Sequence, residues 1–243
     1  MSNEIKAVFF DLDETLIENR IPVRELFARM YYDFQEQLGS QNKEIFFNTL
    51  RERAANLWGT MFDTNVPPEQ QFVNCFAHCV SATGMADGDQ AIDLGQAMFD
   101  HYESLSSNNV VFHDGAIELL AELNNRGITT GLITNGMEQI QLGKVRALDI
   151  HNKVDYVTVS AQARAHKPNA PVFNLALERA NVAARNAIQV GDHATNDVAG
   201  AIRAGMGGVF YNPGNLILEE SFSELPERPT HHIKHLSEVL NII

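Results

Sequence analysis

Two aspartates two residues apart, Asp11 and Asp13, follow directly on the apolar run Ala7-Val8-Phe9-Phe10. Like charges at this range raise each other's pKa and destabilise a fold unless something positive sits between them. The pair therefore reads as a cation site, a catalytic carboxylate pair, or both. The plainer alternative is a solvated turn, where Asp and Thr serve as turn and N-cap residues. Three further segments carry matching chemistry. Ile133-Thr134-Asn135-Gly136 offers a hydroxyl, a side-chain amide and backbone N–H groups near a helix start, a workable cradle for an oxyanion or a phosphate. Lys167 precedes a helix whose start Pro168 and Pro171 help to define, and a lysine there could neutralise both the acids and a bound phosphate. Gly191-Asp192 and Asp197 supply two more carboxylates. Glycine lets Asp192 sit at a strand tip, and Asp197 falls in the first turn of a helix, where the dipole alone favours an acid. Hard oxygen ligands in this number suit Mg²⁺.

These residues need a frame to bring them together. Residues 1–17 read as a strand and a loop. From about residue 20 to 107 the pattern is helical: one apolar stripe from Leu26 to Leu38 closed by Gly39, another from Ile45 to Trp58, a cysteine-bearing helix after Pro67-Pro68, and a fourth over 89–105. From residue 108 the texture alternates. Helices are predicted over 116–125, 137–148, 171–180, 196–204 and 236–240. Strands are predicted over 129–134, 154–159, 187–190 and 208–211, with a short one near His232-Ile233. Such repetition implies an α/β fold, a Rossmann-like doubly wound parallel sheet with ligands outside the carboxyl ends of its strands. Asp11, Thr134, Ser160 and Asp192 each close a separate predicted strand, so they should meet on one sheet edge. The expected domains are a core of residues 1–17 and 108–243 and a helical-bundle cap of residues 18–107, set as a lid over that edge.

Bulk properties narrow the function classes. Hydrophobic content of 44% and charged content of 20% are those of an ordinary globular protein. No apolar run is long enough to cross a bilayer, and the N-terminal segment with its acid Glu4 does not resemble a signal peptide, so a cytoplasmic location is expected. A net charge of −13 argues against nucleic-acid polymers and anionic membranes as partners. It leaves a small phosphorylated metabolite open, because a bound metal and a few local cations dominate the field inside a pocket. Cys75 and Cys79 lie at helical spacing on an apolar face with Phe72, Phe76 and Val80, which reads as core packing. The chain carries no readable signal of oligomeric state.

In order and spacing the four segments resemble the motifs of the haloacid dehalogenase superfamily: Asp11-Leu-Asp13-Glu-Thr15, the strand ending in Thr134, Lys167, and Gly191-Asp192 with Asp197. The helical insertion after the first motif resembles the subgroup with an all-helical cap. The resemblance implies Asp11 as nucleophile and Asp13 as the general acid and base. It implies Mg²⁺ held by Asp11, the backbone carbonyl of Asp13, and Asp192, with Asp197 orienting metal-bound water or Lys167. Thr134 and Lys167 would hold the phosphoryl oxygens, with Asn135 close by. Dehalogenases of the superfamily lack the second acid, because a halide leaves unprotonated, so Asp13 points to a phosphatase. The alternatives are a 2-haloacid dehalogenase-type hydrolase and a Mg²⁺- and phosphate-binding module without turnover. The substrate leans to a nucleoside monophosphate or a sugar phosphate, with Asn19, Arg20 and Arg24 as candidate contacts. Trp58, Phe62 and Phe72 read as bundle core more readily than as a stacking surface. Arg164 stands where many relatives carry a small residue, as a substrate contact, an added positive charge or a surface residue. His113-Asp114-Gly115 replaces a frequent Pro-Gly turn.

Overall fold

The computed structural model describes residues 4–216 and 218–243, and the side chains of 218 and 219 lie outside the described set. The chain divides into two compact units. One comprises Met1–Asn19, Val110–Gln141 and Val145–Ile243, and the other Arg20–Asn109 with Leu142–Lys144.

The first unit is built on a parallel sheet. Its strands are β1 (Ala7–Phe10), β4 (Thr129–Thr134), β5 (Tyr156–Val159), β6 (Ala187–Gly191), β7 (Gly207–Tyr211) and β8 (His231–Ile233). They run in the order β5-β4-β1-β6-β7-β8. β1 sits centrally because all four of its residues are apolar and fully buried. Successive side chains point to opposite faces. Val8 and Phe10 join a core with Leu119, Leu120 and Leu123 of helix Ala116–Asn125 and with Leu236 and Val239. Ala7 and Phe9 join the opposite core with Val172, Phe173 and Ala176 of helix Ala170–Ala180. Each fully buried phenylalanine contributes about 2 kcal/mol, so the sheet is clamped from both faces. This is the doubly wound α/β arrangement.

Register then places the chemistry. Phe10 pairs with Leu132 on one side and with Val190 on the other. The next residue, Asp11, therefore emerges level with Ile133 and Gly191, and its N–H donates to the Val190 carbonyl at 2.9 Å. The strand order reverses around β1, which is where crevices open in such sheets.

Two differences from the sequence reading stand out. A short antiparallel pair, β2 (Ile17–Asn19) with β3 (Val110–Phe112), flanks the helical insertion. Three residues are too few to show a strand period. The helix expected over 196–204 is a π-helical turn, Ala194–Ala199, followed by Gly200–Arg203.

The second unit is all helical, with long helices Val23–Asp33, Lys43–Thr60, Pro68–Ala82 and Gly88–Asn108. The stripe from Leu26 to Leu38 breaks at Phe34 into two helices. Gly95 allows the last two long helices to touch, since a Cβ there would lie 2.7 Å from the Ala77 backbone nitrogen. Phe27 stacks on Tyr102 at 4.5 Å. Cys75 and Cys79 are buried free thiols within this packing. Among the described residues no helix is long and apolar enough to cross a membrane.

Candidate active site

The carboxyl ends of β1, β4 and β6, together with the loop that carries Lys167, hold most of the polar residues singled out from the sequence. A cavity of about 160 Å³ there is lined by Asp11, Asp13, Thr134, Asn135, Lys167 and Asp192, among others. It is smaller than the pockets that enclose whole drug-sized ligands, and suits a phosphoryl-sized group. A larger groove of about 580 Å³ runs within the helical unit past Glu52, Arg53 and Asn74, and carries none of these residues.

Lys167 is the hub. Its side chain is 2% exposed, and its ammonium lies 2.8 Å from Asp11 Oδ1, 2.6 Å from Asp197 Oδ1 and 2.8 Å from the Ile133 carbonyl oxygen. All three of its hydrogens have an acceptor. Burial opposes its charge, yet Asp11 and Asp197 together outweigh that effect and hold the ammonium above its ordinary value.

Asp197 is completely buried and also accepts from Gln189 Nε2 at 3.2 Å and from the His193 N–H at 3.3 Å. Its seat depends on Gly191, where a Cβ would stand 2.3 Å from the Asp197 Cγ. The π-helical turn that carries it starts at His193, whose Nδ1 accepts the N–H groups of Thr195 and Asn196, both at 3.2 Å. Widened turns of this kind gather at functional sites.

Asp11 Oδ1 accepts the Leu12 N–H at 2.7 Å as well as Lys167. Both contacts fall on one oxygen of a residue that lines the cavity. Burial first, and then the Asp197 charge, push the Asp11 carboxyl up to about 8, with Lys167 pulling the other way. Burial and Asp197 likewise raise Asp192 to about 6. Asp192 is tied to the first loop through Thr15, whose hydroxyl accepts the Asp192 N–H at 3.2 Å and lies 3.4 Å from Oδ1.

Asp11, Asp192 and Asp197 present carboxylate oxygens within 4.8 Å of one another. One ammonium faces these three acids, and two of the three are pushed toward protonation. Such a set of hard oxygens fits a divalent cation, which would relieve the repulsion. Asp13 stands outside this cluster, and its Oδ2 accepts from Gln141 Nε2 at 2.9 Å.

The remaining sequence candidates separate clearly. Asn135 holds the Lys167 backbone from both sides, accepting its N–H at 2.7 Å and donating to its carbonyl at 3.1 Å. Thr134 is buried at the tip of β4 and accepts from Gln141 Nε2 at 2.6 Å. Arg164 is exposed and ends a short helix in the left-handed region. Phe72 is buried, edge-on to Trp58 and Phe76, as a core residue would be. Residues without a chemical role in the sequence reading also enter. Thr15 links two loops, Gln141 links two candidate residues, and Ser160 lies 2.9 Å from His166 while accepting the Gly136 N–H at 3.0 Å.

Comparison with known proteins gives the family and the fold. Residues 8–210 match the family model described as haloacid dehalogenase-like hydrolase. The chain is 27% identical to a ribulose-1,5-bisphosphate 5-phosphatase of Halopiger xanaduensis, over 98% of each chain. It is 25% identical to a glyceraldehyde 3-phosphate phosphatase of Methanothermobacter thermautotrophicus, over 95% of this chain and 91% of that one. Among solved structures, a 2-haloacid dehalogenase from Pseudomonas syringae superposes with a TM-score of 0.75 at 26% identity, covering 98% of this chain and 97% of that one.

Proposed function

The chain belongs to the haloacid dehalogenase-like hydrolase family, and from that premise we propose that it is a Mg²⁺-dependent phosphatase of small phosphorylated metabolites. The observation that carries this reading is the unequal setting of the two aspartates in the first motif. Asp11 lies in the carboxylate cluster against Lys167, while Asp13 lies outside that cluster and accepts a hydrogen bond from Gln141. In this reading one attacks and the other moves protons.

In this reading Oδ2 of Asp11 attacks phosphorus and the bond to the leaving oxygen breaks, giving an aspartyl-phosphate and an alcohol. Asp13 gives its proton to that departing oxygen. It then takes a proton from the water that attacks phosphorus, which releases phosphate and restores Asp11. Attack by a carboxylate on a phosphate dianion is electrostatically opposed, so positive charge must face the phosphoryl oxygens. Lys167 supplies one such charge and Thr134 a hydroxyl, while Asn135 keeps the lysine loop in place. Asp11 and Asp192 would hold Mg²⁺, with the Asp13 carbonyl as a further ligand and Asp197 orienting Lys167. The ion would contribute Lewis-acid stabilisation of charge on the phosphoryl oxygens, worth several kcal/mol.

The names of two relatives specify sugar and triose phosphates, which supports a sugar phosphate as the substrate class, with a nucleoside monophosphate as the alternative. Mg²⁺-dependent turnover of p-nitrophenyl phosphate tests the reaction, and a panel of phosphorylated metabolites ranked by kcat/KM tests the substrate class. No Mg²⁺-dependent phosphate release, or release undiminished in Asp11→Asn, would defeat it. The likeness to a 2-haloacid dehalogenase structure favours a second reading. Chloride release from 2-chloropropionate, with no phosphatase activity, would establish that one instead.

A further inference from the structure

We infer that Gln141 is a positioning residue that aims the proton donor Asp13 and the phosphate-binding hydroxyl of Thr134 together, an inference that rests on the phosphatase reading. Gln141 lies in helix Glu138–Ala147 with its side chain buried, 128 positions along the chain from Asp13. Its Nε2 is 2.9 Å from Asp13 Oδ2 and 2.6 Å from Thr134 Oγ1. A primary amide has two N–H hydrogens, and here each has its own acceptor. Gly136 leaves the space, for a Cβ there would lie 2.7 Å from Gln141 Cγ.

The two bonds have different consequences. Thr134, accepting from Gln141, keeps its own hydroxyl hydrogen for a phosphoryl oxygen. Asp13, accepting at Oδ2, has that oxygen fixed by Gln141, which steers its other oxygen as the one that exchanges a proton with the leaving group. Loss of Gln141 therefore removes one contact that orients the proton donor, without touching the nucleophile or the carboxylate cluster.

A leaving group that is stable as an anion needs no proton from Asp13, whereas an alkoxide does. The test is kcat/KM of Gln141→Met for p-nitrophenyl phosphate and for glycerol phosphate, with folding checked by circular dichroism. This ratio reports the phosphoryl-transfer step, and any effect through Thr134 falls on both esters alike. The expected result is a loss about tenfold larger on the alkyl ester, a share of the factor of about 10² to 10⁴ that a general acid contributes. The selectivity should vanish when Gln141→Met is made in an Asp13→Asn background. Should Gln141→Met fail to fold, Gln141→Glu keeps size and polarity, turns a carboxylate toward Asp13, and is expected to show the same selective loss. Equal losses on both esters, or no loss, would overturn the inference and leave the phosphatase reading intact. A wild-type protein that hydrolyses neither ester with Mg²⁺ would overturn both.

Discussion

Lys167 and Asp197 form a buried ion pair at 2.6 Å, with side chains 2% and 0% exposed. A pair taken this far from water stabilises a fold only while both members are present, and removing one leaves an uncompensated charge. Asp11 remains beside Lys167, so the lysine keeps one partner.

Asp197→Asn should therefore lower stability by about 3 kcal/mol, at the lower end of what breaking such a pair costs. Urea unfolding measures it as a lower midpoint with an unchanged slope. A loss below about 1 kcal/mol would show that the pair does not organise this edge of the sheet.

Gly191→Ala tests the same seat from the other side. The added methyl would stand 2.3 Å from the Asp197 Cγ, so strand or aspartate must move. Overpacking of this kind costs about 1–3 kcal/mol, and here it should also displace Lys167 and reduce turnover. A variant with unchanged melting temperature and unchanged kcat would contradict the close packing of β6 on Asp197.

Stability of the metal-free protein should fall as pH rises from about 4 to about 8. Asp11 and Asp192 are raised to about 8 and about 6 by burial and by the Asp197 charge, so between the ordinary carboxylate range and those values the folded state binds more protons than the unfolded one. Their favourable contribution is complete below the ordinary range and is lost as pH climbs through the raised values. Mg²⁺ competes with those protons, so the rise in melting temperature on adding it should be larger at pH 8.5 than at pH 5.5. A rise that is equal at both pH values, or larger at the lower one, would mean that the ion does not bind at these carboxylates.

Much of this site was legible in the sequence because its residues lie at the tips of strands that are short, apolar and bounded by polar loops. Ala7-Val8-Phe9-Phe10 ahead of Asp11, and Ala187-Ile188-Gln189-Val190 ahead of Gly191-Asp192, announce buried strands whatever their neighbours are. What stayed hidden depends on contacts between distant positions. Gln141 reads as one more polar residue on a helix, and only the packing of β4 against β1 brings it to Asp13. Thr15 reads as a turn residue until β6 places Asp192 beside it. Asn135 lines the cavity, and its side chain also brackets the Lys167 backbone, a contact that no local spacing encodes. The cysteines illustrate the reverse, since their helical spacing alone pointed to the packing found.

The central claim is that Asp11 carries the phosphoryl group during turnover. It is tested most directly by quenching the enzyme in acid while it turns over a phosphate monoester with Mg²⁺, and locating the modification by peptide mass spectrometry. The account predicts one phosphoryl group on the peptide that contains Asp11, absent when Asp11→Asn is treated the same way. Turnover with that peptide unmodified, or an equal modification in Asp11→Asn, would contradict it.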